Sequence, residues 1–208
     1  MSHFIVNLIL PQDEVTIEKI EELLDPYDEG KELEPYIYYY KRDAKKLHQE
    51  ELSRLKGILD RKDKDYKLDK CQEQYDKHKI MTAEQYYDYH FEGKKRDKKG
   101  NILTTYNPDS KWDWWEIGGR FAGWLLNLAA EKANNNIKNN SCPIEKALKE
   151  KKIPFALILP DGKWVERGSM GWWAVVMDEM PEREWDEKVM GYYKKYPGHA
   201  VVQLDCHI

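Results

Sequence analysis

The 208-residue sequence lacks the features that define several large classes of protein. Its three cysteines lie far apart and form no C-x-x-C pair, which excludes a recognisable disulfide framework and a cysteine zinc site. No apolar run approaches the ~20 residues of a membrane-spanning helix, and the N-terminus has no secretory signal. No complete phosphate-loop pattern is present. A cytoplasmic protein without membrane association is therefore expected.

Charged and aromatic side chains are abundant in the sequence instead. Hydrophobic residues make up 41% and charged residues 35%, which predicts a globular protein. Residues 41–100 carry 18 basic and 13 acidic side chains, and their signs alternate along predicted helices, which argues against nucleic acid as a partner. All eight tryptophans lie between Trp112 and Trp185, so we expect part of this indole to line a cleft.

The order of predicted elements is strand, helix, long helical excursion, helix, three strands, helix and strand. This order predicts one α+β domain over residues 1–208, with helices packed on one face of a mainly antiparallel sheet. A ferredoxin-like core fits the order, and a charged helical insertion is expected over residues 38–100. Apolar spacing predicts helices over 15–24, 38–59, 82–91 and 143–151, one beginning near Arg120 and one beginning at Pro181. Strands are predicted over 3–10, 155–159, 164–167, 172–177 and 199–208.

The sharpest local motif is NPDSKWDWWEIGGRFAGW, which ends in a pair of glycines before a predicted helix. Free amides at a helix start attract anions, and the guanidinium of Arg120 suits a phosphate or a carboxylate. We therefore expect an anionic ligand near Gly118 and Gly119. The alternative is that the glycines only allow tight packing while Arg120 pairs with Asp113.

A second motif, WVERGSMGWW, places Glu166 and Arg167 at the end of a strand before a hairpin turn. Adjacent strand residues point to opposite faces, so one of the two charges is expected to reach a cleft. The alternative is that both are exposed charges at a hairpin tip.

The two terminal strands form a third candidate region, with His3 near one end and Asp205 and His207 near the other. Two histidines and a carboxylate suit a metal site or general acid-base chemistry, whereas hydrogen-bonded structural histidines are the alternative. Cys206 must face the opposite side of its strand, which disfavours a cysteine-histidine pair. The remaining histidines of the helical excursion, His48, His78 and His90, are predicted to be solvated.

The sequence also resembles a group of mostly uncharacterised proteins of bacteriophages and bacteria. Those proteins begin with MSHF and carry a KWDW segment followed by GGR, and this chain has MSHFIV, LLDPYDEGKELEPY, KWDWWEIGGR, WVERGSMGWW and LDCHI. Where the similar proteins often have Tyr, this chain has Trp115. The resemblance implies a shared pattern of residues: His3, Asp28, Trp112, Asp113, Trp114, Gly118, Gly119, Arg120, Glu166, Arg167, Trp172 and His207.

Three functions are compatible with these features. The first is a phage-type protein that holds or sequesters an anionic, nucleotide-like small molecule in a pocket lined by tryptophan and arginine. The second is a hydrolase or phosphodiesterase using His3, Asp113, Arg120, Glu166 and His207. The third is a protein interaction module that uses the acidic loop or the helical excursion. No catalytic set, metal or cofactor is assigned, and a homo-oligomer is compatible with the sequence. The predicted ligand-binding residues are His3, Trp112, Asp113, Trp114, Gly118, Gly119, Arg120, Glu166, Arg167, Trp172 and His207.

Overall fold

A computed structural model describes residues 2–129, 132–170 and 175–208. Within these ranges the helices are α1 (Ile17–Leu24), α2 (Ala44–Arg61), α3 (Leu68–Lys79), α4 (Ala83–His90), α5 (Ile144–Lys149) and α6 (Glu182–Lys195). The strands are β1 (His3–Pro11), β2 (Tyr36–Tyr39), β3 (Ile102–Thr104), β4 (Trp114–Ile117), β5 (Ser141–Pro143), β6 (Ala156–Ile158), β7 (Trp164–Glu166), β8 (Ser169–Met170), β9 (Val176–Met177) and β10 (His199–His207). The protein therefore belongs to the α+β class, as predicted.

The chain divides into two compact units. The first comprises Met1–Lys31 and Tyr106–Ile208, and the second comprises Glu32–Thr105. The second unit extends beyond the predicted insertion over residues 38–100 because β2 and β3, which pair with each other, lie at its two ends. It contains helices α2, α3 and α4.

The first unit is built on a six-stranded sheet in the order β4-β10-β1-β6-β7, with β5 also paired to β10. The long terminal strands β1 and β10 are antiparallel, with His3 opposite His207 and Pro11 opposite His199. β1 and β6 are parallel, and the other pairs of this sheet are antiparallel. The elements β1, α1, β6, β7, α6 and β10 occur in βαββαβ order, but β6 pairs directly with β1 and parallel to it, whereas the split βαβ unit of a ferredoxin-like core has another strand between them.

Helices cover both faces of this sheet, so the prediction of helices on one face was wrong. Alternate residues of β1, such as Val6 and Leu8, pack with Ile20 of α1 on one side. Ile9 faces the other side and packs with Trp185 and other residues of α6. The physical reason is visible in β1 itself, whose nearly continuous apolar run requires cover on both faces.

Two helix predictions need correction, and one helix was not predicted. The predicted helix over 38–59 is split, because residues Tyr36–Tyr39 form β2 and the helix begins only at Ala44. Helix α3 was not predicted at all. The helix predicted to begin near Arg120 is replaced by two short 3-10 turns, since Gly123 and Asn127 adopt positive φ values of 78° and 55° that interrupt helical hydrogen bonding.

Two histidines of the second unit are buried, although they were predicted to be solvated. His48 stacks on the Tyr86 ring with centroids 4.9 Å apart, and its Nε2 lies 2.8 Å from the carbonyl oxygen of His78. His78 meets Tyr86 edge-on, also at 4.9 Å, and neither of its ring nitrogens has a hydrogen-bond partner among the residues that the structure describes. His90, in contrast, is exposed as expected.

Burial lowers the pKa of His78, although the nearby Glu51 carboxylate favours the protonated ring. A folded-state pKa below the ordinary value of about 6.5 means that the unfolded chain binds more protons on acidification. The contribution of His78 to folding is therefore complete above about pH 6.5 and is lost as the pH falls from that value through the lower folded-state pKa. The free energy of unfolding, measured by urea denaturation, should decrease less between pH 7.5 and pH 5.5 in His78→Phe than in the wild type. His90→Gln is the control, and an equal reduction in both variants would contradict this assignment.

Candidate functional site

Three aromatic residues lie side by side on adjacent strands at one end of the sheet in the first unit. His207 of β10 lies opposite His3 of β1 on one side and opposite Trp114 of β4 on the other. Directly opposed residues point to the same face of a sheet, so the three rings share one surface. The His3 and His207 ring centroids are 5.0 Å apart, and those of His3 and Trp114 are 6.0 Å apart. The terminal strands thus bring the two histidines together.

The carboxylate of Asp205 contacts the His3 ring from the neighbouring strand. Asp205 is two residues before His207 on β10, so both point to the same face. Its side chain is completely buried, and its Oδ1 lies 2.8 Å from Nδ1 of His3. Its Oδ2 accepts a hydrogen bond of 2.9 Å from the backbone amide of Arg120. This buried charge is therefore paired at both oxygens, as a buried carboxylate requires.

A second carboxylate holds the His207 ring. Asp113 immediately precedes β4, and its backbone amide donates a hydrogen bond of 2.9 Å to the His207 carbonyl. That contact places the Asp113 carboxylate with Oδ1 2.5 Å from Nδ1 of His207. The opposite ring atom, Nε2 of His207, is buried and has no hydrogen-bond partner among the described residues.

The two histidines are oriented in the same way. A carboxylate accepts hydrogen bonds and does not donate them, so each Nδ1 carries the proton of its contact. This leaves Nε2 of each ring as the nitrogen that does not contact a carboxylate, and Nε2 of His207 is buried. Each histidine has its own carboxylate, so the site consists of two adjacent histidine-aspartate pairs.

The two glycines that follow the KWDW segment bring the backbone close to these carboxylate contacts. Gly118 and Gly119 have φ values of 74° and 52°, a region that side chains rarely adopt. A Cβ at Gly119 would overlap the Asp205 carboxylate, and one at Gly118 would lie 2.6 Å from the Asn140 side chain. The glycines are therefore needed because backbone passes directly over buried polar groups.

Arg120 lies in a different setting from the one predicted. It belongs to a 3-10 turn, Gly119–Phe121, so the expected helix start with its free amides does not exist. Its amide is bonded to Asp205, and its side chain is exposed. The alternative pairing of Arg120 with Asp113 is also wrong, because the Asp113 carboxylate contacts His207.

Several predicted residues lie away from the histidine pair. Trp112 is a core residue whose indole donates to the Leu24 carbonyl at 3.3 Å. Glu166 is paired with Lys111 at 2.7 Å and faces the α1 side of the sheet, since it lies opposite Ala156 of that core. The predicted single pocket is therefore divided between two faces of the sheet.

Glu166 and Arg167 point to opposite faces, as predicted. Glu166 lines a surface cleft of about 400 Å³ together with Tyr27, Lys111 and Trp164. Arg167 forms an ion pair with Glu179 at 3.1 Å. The prediction for Trp172 lies outside the described residues.

Asp205 is the residue whose importance the ligand-binding prediction missed, although it lies in the third candidate region. Its signal was the two-residue spacing to His207 on a strand, which places both on one face. Cys206 between them packs in the opposite core, where burial raises the pKa of its thiol.

The described residues contain no cluster of three or more histidine, cysteine or acidic side chains arranged to hold a metal ion. They also contain no helix long and apolar enough to cross a membrane. Comparison of the chain with protein-family models, curated proteins and solved structures found no match in any of the three.

Gly119→Ala tests whether the turn over Asp205 needs a residue without a side chain. The added Cβ meets the Asp205 carboxylate at a positive φ, so we expect the free energy of unfolding to fall by about 2–4 kcal/mol. Gly191→Ala in helix α6 is the matched control, because a Cβ there meets nothing within 4 Å. The free energy of unfolding of that variant, measured by urea denaturation, should rise by up to about 1 kcal/mol. Equal stability of the two variants would contradict the close approach.

Proposed function

We propose that the two histidine-aspartate pairs perform general acid-base catalysis on a phosphodiester of a nucleotide-like small molecule. The observation that supports this most strongly is the pair of imidazole rings 5.0 Å apart, each held through Nδ1 by its own carboxylate. Acid-base catalysis needs two proton-transferring groups at one bond, and imidazole changes charge near neutral pH.

The proposed reaction is hydrolysis. Nε2 of one neutral imidazole accepts a proton from a water molecule, and the water oxygen bonds to phosphorus. The bond between phosphorus and the leaving oxygen then breaks, while the second histidine, protonated at Nε2, gives its proton to that oxygen. The products are a phosphomonoester and an alcohol. Asp113 and Asp205 act as positioning residues, since they hold the rings without contacting the substrate.

Two features support an anionic, aromatic substrate. The Trp114 side chain is 45% exposed beside His3, so its face is accessible for stacking by a base. The Arg120 side chain is exposed and its backbone amide is bonded to Asp205, so we take its guanidinium as the group that would contact a phosphate at this site. In addition, Nε2 of His207 is buried and has no hydrogen-bond partner in the described part of the chain, so a ligand oxygen that reached it would supply the missing contact.

A second candidate function is binding of the same ligand without turnover. The exposed indole of Trp114 favours it, because stacking contributes affinity without chemistry. Sequestration of a host nucleotide by a phage-type protein would be one form of this function.

His207→Ala should abolish the proposed hydrolysis. We expect kcat/KM to fall by about 10²–10⁴-fold on a panel of linear and cyclic nucleotides followed by chromatography. Asp113→Asn should lower the rate by a smaller factor, because the ring remains but loses its orientation. The wild-type rate should decrease at both acid and alkaline pH, since one histidine must be neutral and the other protonated.

His199→Ala is the matched control, because His199 lies on the same strand at the end opposite His207. It should keep the wild-type rate. Binding without conversion, weakened by His207→Ala, would favour the second candidate. Neither binding nor conversion of any nucleotide would exclude both functions.

A further inference from the structure

The second unit contains a cleft of about 710 Å³ that is lined by cations. Its lining includes Tyr40, two acidic side chains and four basic ones. The acidic residues are Glu84 and Asp97, and the basic residues are Lys41, Arg42, Lys98 and Lys99. All four basic residues are exposed, and the described ranges contain no ion pair between any of them and a carboxylate. The cleft therefore has an excess of positive charge, with four basic side chains against two acidic ones.

A hydrogen-bond network centred on the buried residue Asn101 fixes the two basic segments against each other. The side chain of Asn101 accepts a hydrogen bond of 3.0 Å from the Lys41 amide and donates one of 2.8 Å to Asp97. Asp97 also accepts from the backbone amides of Lys99 and Asn101, at 2.8 Å and 2.9 Å. The hydrogen bond from the Asn101 side chain, followed by those from the amides, lowers the pKa of Asp97.

Asp97 therefore supports the loop through these hydrogen bonds, and its negative charge offsets part of the positive charge of the neighbouring lysines. Gly100 allows the close contact, since it has a φ of 80° and its hypothetical Cβ lies 2.9 Å from the Lys41 side chain. The two basic segments are thus held together by the fold.

An aromatic ring lies next to these cations. Tyr40 is 42% exposed, and the Arg42 guanidinium lies over its ring at 4.4 Å from the centroid. Guanidinium and phenol together form a surface on which a planar base can stack, and ammonium groups bind phosphate oxygens.

We propose that this cleft binds a ligand carrying two or more phosphate groups and an aromatic base. Free nucleotides and a single strand of nucleic acid both provide this chemistry. The alternation of charge along helices α2 and α3 does not bear on it, because the four cations belong to segments outside these helices. The proposal is independent of the histidine pairs, which lie in the other unit.

The test measures the affinity of the full chain for inorganic triphosphate, a nucleoside triphosphate and a thymidine oligonucleotide of about 12 residues. Lys98→Glu with Lys99→Glu should weaken binding at least tenfold and reduce its dependence on salt. Lys56→Glu with Lys70→Glu makes the same charge change at exposed positions of helices α2 and α3, outside the cleft. This control should bind within twofold of wild type.

Binding of the nucleoside triphosphate with this mutational pattern supports a free nucleotide as the ligand. Binding of the oligonucleotide at least tenfold more tightly than the nucleoside triphosphate, with the same pattern, supports a nucleic acid strand. Absence of binding by all three probes would overturn the proposal, as would equal weakening in both lysine double variants. If Lys98→Glu with Lys99→Glu fails to fold by circular dichroism, the same comparison is made with alanine at both pairs of positions.

Discussion

The buried carboxylate of Asp205 is the constraint on which the candidate site depends. It lies on the longest strand pair of the sheet and bonds to His3 on one side and to the Arg120 amide on the other. A buried charge is tolerated only when it is paired, so Asp205 requires both contacts. The ring of His3 takes its orientation from Asp205, and the backbone after β4 must pass close enough to donate its amide. The positive φ at Gly119 follows from that second requirement.

The elements that sequence analysis predicted well are those whose apolar periodicity matches their burial. Both terminal strands and helix α6 have apolar patterns that the core uses directly. The cap of α4 was also predictable, because Thr82 and Gln85 form the expected capping box. The approach of His3 and His207 could be anticipated once both terminal strands were expected to lie side by side.

The remaining errors have physical causes that local patterns do not contain. Apolar residues after Arg120 have helical spacing, yet Gly123 and Asn127 turn the chain so that the same side chains reach the core through 3-10 turns. Helix α3 was missed because its buried side has few apolar residues, among them Cys71, in a highly charged segment. Glu166 was predicted to share a pocket with the two histidines. That prediction failed because the face that a strand residue occupies depends on its partner strand, here β6.

The orientation of the two imidazoles is tested most directly by the nitrogen NMR spectrum of the histidine side chains above their titration range. The account predicts that both His3 and His207 carry their proton on Nδ1, because each Nδ1 contacts a carboxylate. Asp205→Asn should then disturb the His3 signals while leaving His207 with its proton on Nδ1. A spectrum in which both rings carry the proton on Nε2 would contradict the paired arrangement.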